Sequence, residues 1–128
     1  MTENDISYII RGAIFKVYNA LGPGLLESVY EAALVFELKK AGVEAKSLVA
    51  LPVIYENEKL DIGFRIDILV NDLVIIEIKS VEQIAEVHHK QVLTYLKLAD
   101  KRLGILVNFN TNTISDSIYR KVNKLQIS

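Results

Sequence analysis

The stretch Ile75–Lys79 constrains this chain more than any other. Isoleucines at 75, 76 and 78 make it a buried strand, and turn residues precede it. Yet it carries Glu77 and Lys79, and a strand's period of two puts both side chains on one face. Another acid, Asp67, lies on the preceding strand, within Gly63–Val70. A plain two-residue turn at Asn71–Asp72 would pair Val70 with Leu73 and Asp67 with Ile76, leaving Glu77 facing away from Asp67. For the two acids to share a face, Asp67 must oppose Glu77, which needs an odd-length loop or a bulge. That shift is the expectation. An acid, a second acid and a lysine brought together across a hairpin suit a divalent metal beside a fixed cation.

Around this hairpin the pattern reads α-α-β-β-β-α-β-β. Ile6, Ile9, Ile10, Ala13, Ile14, Val17 and Leu21 predict a helix over 5–21, capped by Asn4 or Asp5 and ended by Gly22 and Pro23. A second helix is expected over 25–40. Its main stripe is Leu26, Val29, Tyr30, Ala33 and Phe36, widened by Leu34 and Leu38, so it should be well buried. Glu27 falls on the side of Leu34 and Leu38, where a carboxylate needs a partner. Strands are expected over 44–55, with Pro52 marking an edge or irregularity, over 60–70, with Gly63 a bulge or close approach, and over 73–79. A third helix over 82–101 carries Ile84, Val87, Val92, Tyr95, Leu98 and Ala99 as a stripe, with His88 and Gln91 inside it. Two polar groups in an apolar stripe need partners: either they are satisfied within the core, the usual state of a lone histidine, or they are directed at Glu77 and Lys79. A strand over 103–108 and a short one over 114–122, with a frayed basic end, complete one α/β domain, residues 1–128, with a mixed sheet and helices against it.

The balance of charge limits the partners. The 128 residues hold 15 Lys and Arg against 16 Asp and Glu, so bulk electrostatics would not hold this chain to nucleic acid. The distribution is uneven: residues 1–64 hold 6 basic and 9 acidic side chains, residues 65–128 hold 9 and 7. Lys97, Lys101 and Arg102 cluster, as do Arg120, Lys121 and Lys124, although each cluster also reads as a solvated surface. No cysteine is present, which removes disulfides and thiolate metal sites. The helical patterns are too interrupted by charge to span a membrane, and the acidic start lacks a signal pattern, so a cytoplasmic location is expected.

Asp67, then Glu77 and Lys79 spaced as ExK after a hairpin, then a helix and a strand, resembles the PD-(D/E)XK nuclease superfamily. Gly24, Glu27 and Tyr30 match the GxxExxY spacing of one branch of it, and Gln91 and Tyr95 are similar to the QxxxY element of its RecB-type members. The resemblance covers residues 5–122. The proline of the superfamily's name is replaced by Ile66.

The resemblance implies a restriction-endonuclease-like fold and phosphodiester hydrolysis of nucleic acid, DNA favoured. Mg²⁺ or Mn²⁺ would be held by Asp67, Glu77 and the main-chain carbonyl of Ile78, a hard-oxygen set suited to such ions. Lys79 would orient or deprotonate the attacking water, or stabilise developing charge. Glu27 would reach in from the second helix toward the metal's water or a second metal. Gln91 and Tyr95 would position the phosphate, with His88 and Tyr30 supporting ligands or phosphate. Other readings stand beside these. Glu77 and Lys79 also suit a solvated sheet face, Glu27 a helix N-terminal acid, Tyr30 and Tyr95 core aromatics. A catalytically silent binding or assembly module and a phosphoesterase of small nucleotides are the competing functions. A homo-oligomer is compatible with the sequence and not shown by it.

Overall fold

The computed structural model describes residues 1–125, apart from the side chains of Asp61 and Ile62. Among the described residues the elements are helix α1 Glu3–Leu21, helix α2 Glu27–Lys40, strands β1 Ala45–Tyr55, β2 Glu58–Val70 and β3 Val74–Lys79, helix α3 Glu86–Ala99, and strands β4 Leu103–Asn108 and β5 Ile118–Val122. A 3₁₀ turn at Ile114–Asp116 precedes β5. The sheet order is β1-β2-β3-β4-β5. All neighbours are antiparallel except β3 and β4, which run parallel and are joined by α3.

The helices divide the core in two. On one face α1 and α2 bury Ile6, Ile10, Ile14, Leu34 and Leu38 against Ile68, Ile76, Ile78, Ile105 and Val107. On the other, α3 buries Val92, Tyr95 and Leu96 against Ile66, Leu69, Ile75 and Leu106. Burying side chains of this size contributes about 1.5–3 kcal/mol each. No helix among the described residues is long and apolar enough to cross a membrane.

Several boundaries differ from the sequence expectation. α1 starts at Glu3 because Thr2 caps it: Asp5 N–H donates to Thr2 Oγ1 at 3.2 Å, and Thr2 N–H donates to Asp5 Oδ2 at 2.8 Å. α3 starts four residues later than its pattern suggests, because the main-chain N–H of Ala85 donates to His88 Nδ1 at 2.9 Å and caps the first turn. The stripes also shift. In α2 the inward residues are Tyr30, Leu34 and Leu38, while Leu26 and Phe36 are exposed, because apolar residues ring this helix and give no unique face. In α3 Leu96 is inward and Val87 and Leu98 are outward. Gly104 explains the close seat of α3: a Cβ there would lie 2.7 Å from Val92 Cγ1 and 3.4 Å from Leu96 Cδ2. Gly104→Val therefore pushes α3 off the sheet and lowers stability by about 1–3 kcal/mol, a loss readable as an earlier midpoint in urea unfolding.

Two irregularities prepare the site. Asn71 and Asp72 take left-handed φ values of 50° and 56°, and Leu73 N–H donates to Val70 O at 2.9 Å, so Val70 pairs with Val74 across a three-residue loop. The odd loop gives the register Ile68↔Ile76, which puts Asp67 and Glu77 next in line on their strands. The β1–β2 ribbon changes face at the same level. Ala45, Ile68 and Val70 belong to the α1–α2 core, but Val49, Leu51, Phe64 and Ile66 pack on the α3 side. Register is unchanged across the switch, with Ser47↔Ile68 before it and Val49↔Ile66 after it. Leu48, opposite Asp67, absorbs the turn at φ 51°, a left-handed conformation that costs a leucine about 1–2 kcal/mol. Farther out, the register shifts between Pro52 and Ile54, and a Cβ at Gly63 would run into the main-chain carbonyl of Leu51. Both residues sit where their chemistry suggests.

Candidate active site

The two acids occupy the fork where β2 leaves β3. Asp67 and Glu77 clasp each other's strands: Ile78 N–H donates to Asp67 Oδ2 at 2.8 Å, and Asp67 N–H donates to Glu77 Oε1 at 3.3 Å. Each carboxylate thus takes a main-chain donor of the opposite strand. Glu77 is 4% exposed, on a strand otherwise made of buried valine and isoleucine up to Lys79. Removing a carboxylate from water favours its neutral form. Burial, reinforced by the charge of Asp67, pushes Glu77 up to about 8, far above the usual glutamate. Asp67 is also raised, chiefly by burial. The Ile78 N–H, the Lys79 ammonium and a hydrogen bond from Glu77 oppose the rise, and Glu27 adds to it.

Two further acids approach from α2. Glu27 stands in its first turn, exposed, and close enough for its charge to act on both Asp67 and Glu77. Glu31, one turn on, is itself raised, first by burial and then by the charge of Asp67. The start of α2 is anchored beside the end of β3, because Ser80 Oγ donates to Leu25 O at 2.7 Å. Among the described residues no three Asp, Glu or His side chains meet as a ready cage for a metal ion; the clasped pair is Asp67 with Glu77.

Lys79, half-buried, ends β3 beside Asn108 of β4. Its carbonyl accepts from Phe109 N–H at 2.9 Å. Asn108 fixes the following turn: Val81 N–H donates to its Oδ1 at 3.1 Å and its Nδ2 donates to Val81 O at 2.9 Å. Lys79 lines a groove of about 530 Å³ whose lining also includes His88, Lys90, Gln91 and Tyr95. His88, Gln91 and Tyr95 lie three and four residues apart on α3 and so share one face. Tyr95 is 5% exposed, and its hydroxyl is raised by burial and then by the charges of Glu77 and Asp67. His88 uses Nδ1 for the Ala85 cap, leaving Nε2 for the groove.

Tyr30 requires a correction. Its ring is fully buried and stacked on Phe109, centroids 4.3 Å apart and 5° from parallel. Its hydroxyl donates to Gly22 O at 2.6 Å and accepts from Leu25 N–H at 3.1 Å. A hydroxyl with both partners in the main chain does not position a phosphate. It pins the corner at Gly22–Leu25 and so sets where α2, with Glu27, begins. Tyr30→Phe removes the partner of both main-chain groups in a partly buried corner and costs about 0.5–1.5 kcal/mol, measurable as a shifted denaturation midpoint with the fold retained.

Sequence reasoning missed Glu31 and Asn108. Glu31 was within reach, four residues from Glu27 and hence on the same helical face. Asn108 reads as an ordinary strand end, and nothing local marks it as the clamp on the Lys79 turn.

A mixed sheet covered on both faces, with clasped acids and a lysine where the antiparallel hairpin opens, defines a restriction-endonuclease-like α/β domain. The sequence pattern of the PD-(D/E)XK nuclease superfamily matches residues 4–121, and the chain belongs to that superfamily. No curated protein and no solved structure matches it. Members of the superfamily are usually nucleases, which brings nucleic acid and divalent metals into view as substrate and cofactor.

Proposed function

We propose that this chain is a metal-dependent nuclease that hydrolyses phosphodiester bonds, with DNA the favoured substrate and the GxxExxY branch its place in the superfamily. The observation that carries the reading is the clasp of Asp67 and Glu77 at the fork, with Lys79 beside it. Two carboxylates forced together away from water raise each other's pKa and are relieved by a cation between them. The donor set is all oxygen, with no cysteine in the chain, and so fits Mg²⁺ or Mn²⁺ better than a softer ion.

Asp67, Glu77 and the carbonyl of Ile78 would hold that ion, with Glu27 contributing charge from α2. When bound, it supplies Lewis acidity and makes water a stronger acid. The remaining work falls to the chain. Lys79 orients the attacking water and neutralises charge that develops on the phosphate oxygens. Gln91 and Tyr95 orient the phosphate from α3, and His88 offers Nε2 to the groove. Asn108 keeps the turn after Lys79 from drifting, so the ammonium stays aimed.

The test is a panel of single- and double-stranded DNA and RNA, together with small nucleotides, incubated with Mg²⁺, with Mn²⁺ and with chelator. Metal-dependent cleavage of a polymer is the expected result. No cleavage under any condition would leave a silent binding module. Hydrolysis confined to small nucleotides would assign a phosphoesterase.

A further inference from the structure

The groove at Lys79 has a second one beside it at Phe64. Phe64 lines both. On one side lie Lys79, His88 and Lys90 in the 530 Å³ groove; on the other, Lys59 and Arg65 line a groove of about 410 Å³ along the β1–β2 ribbon. Among the described residues neither groove is lined by an Asp or Glu, in a chain whose net charge is −1. Among the described residues the formally charged side chains on the walls of this track, Lys79, Lys90, Lys59 and Arg65, are all cationic. Phe64 is half-buried and braced on one side by Tyr95, centroids 4.9 Å apart at 49°. A braced ring with cations on both sides matches what an unpaired polynucleotide presents: a base with a free face and phosphates on either side of it. A duplex suits the track less, because its bases are already stacked on one another.

We propose that the track across Phe64 binds an unpaired nucleotide strand flanking the scissile phosphate, with Phe64 stacking on a base and Arg65 and Lys59 holding the neighbouring phosphate. The inference rests on the nuclease reading of the acidic pair and adds which form of nucleic acid the site accepts. The ribbon's change of face at Leu48 and Asp67 carries it: without that switch, Phe64 would not join the α3 side where the groove runs.

Binding is measured by anisotropy of labelled oligonucleotides in chelator, so that no strand is cut. The arms are single-stranded DNA, single-stranded RNA of the same sequence, and the corresponding duplexes. Single strands should bind at least about ten-fold tighter than duplexes, and the tighter of DNA and RNA identifies the backbone. Phe64→Leu should weaken single-strand binding by about 5- to 100-fold, and Phe64→Trp should retain it. Lys59 and Arg65 are exposed, so Lys59→Ala with Arg65→Ala should keep the fold, checked by an unchanged unfolding midpoint, and should flatten the dependence of log affinity on log salt by about 1.4. Duplexes bound as tightly as single strands, no binding of any strand, or an unchanged salt slope in the double variant would each overturn the proposal. The nuclease reading fails separately: strands that bind as described but stay intact with Mg²⁺ or Mn²⁺ remove catalysis and leave the track. Cleavage that is indifferent to Phe64 and to the cation pair removes the track and leaves catalysis.

Discussion

Glu77→Gln should make the metal-free protein more stable and abolish the proposed metal-dependent cleavage. The native glutamate titrates at about 8 instead of its ordinary 4.5, because burial and Asp67 disfavour its charge. Between those values the folded chain binds a proton that the unfolded chain has released. Stability therefore falls as pH rises from about 4.5 through about 8, opposite to the behaviour of a salt-bridged carboxylate. The neutral amide of the variant carries no such penalty and keeps an oxygen for the Asp67 N–H. At pH 8 in chelator the variant should melt about 5 °C or more above the wild type, with the gap closing toward pH 5. Added Mg²⁺ should raise the wild-type midpoint and leave the variant unmoved, because only the ionised pair gains from the ion. The same substitution should remove metal-dependent cleavage. Stability given up at one buried residue in return for chemistry is the pattern of a functional site.

Lys79→Ala should leave the fold intact and lower cleavage by about 100-fold or more. Lys79 is half-buried at the end of β3, and the bonds that shape its turn run through its own carbonyl and through Asn108, not through its ammonium. The unfolding midpoint should change little while the rate collapses. The split between kcat and KM adds information. A lysine that acts on the reacting atoms lowers kcat and kcat/KM together, whereas one that only binds the strand raises KM. Lys79→Arg should not restore the rate, since the planar guanidinium cannot occupy the position of a compact ammonium. A variant with unchanged kcat would move Lys79 out of the catalytic step and into the binding track with Lys90.

Much of this site is legible because its signals are short-range. The alternation of Glu77 and Lys79 with isoleucine puts two charges on one strand face, and that arithmetic needs no tertiary structure. The odd loop was demanded by the requirement that Asp67 face Glu77, and Asn71 and Asp72 tolerate the left-handed conformations it uses. Glycines were informative for a similar reason: Gly63 sits where a main-chain carbonyl leaves no room for a Cβ.

The misses have a common cause. In α2 apolar residues surround the helix, so periodicity could not distinguish Leu34 and Leu38, which face the sheet, from Leu26 and Phe36, which do not. The choice is made by α1 and the sheet, at long range. The start of α3 was misplaced because its cap is a histidine three residues inside the helix, a signal outside the usual serine, threonine, asparagine and aspartate. Tyr30 shares its spacing with a family motif, which says that the residue matters and not what its hydroxyl touches. The change of face at Leu48 and Asp67 was invisible, since leucine rarely adopts that conformation and only the paired ribbon enforces it.

The central claim is that Asp67 and Glu77 together form a seat for a divalent cation. Calorimetric titration of Mn²⁺ into the chelator-treated protein tests it without reference to any substrate. The expected result is one saturable event in the wild type, accompanied by proton release at pH 7 because Glu77 must ionise, and no event in Asp67→Asn or Glu77→Gln. Equal binding in the wild type and both variants, or none in the wild type, would contradict it.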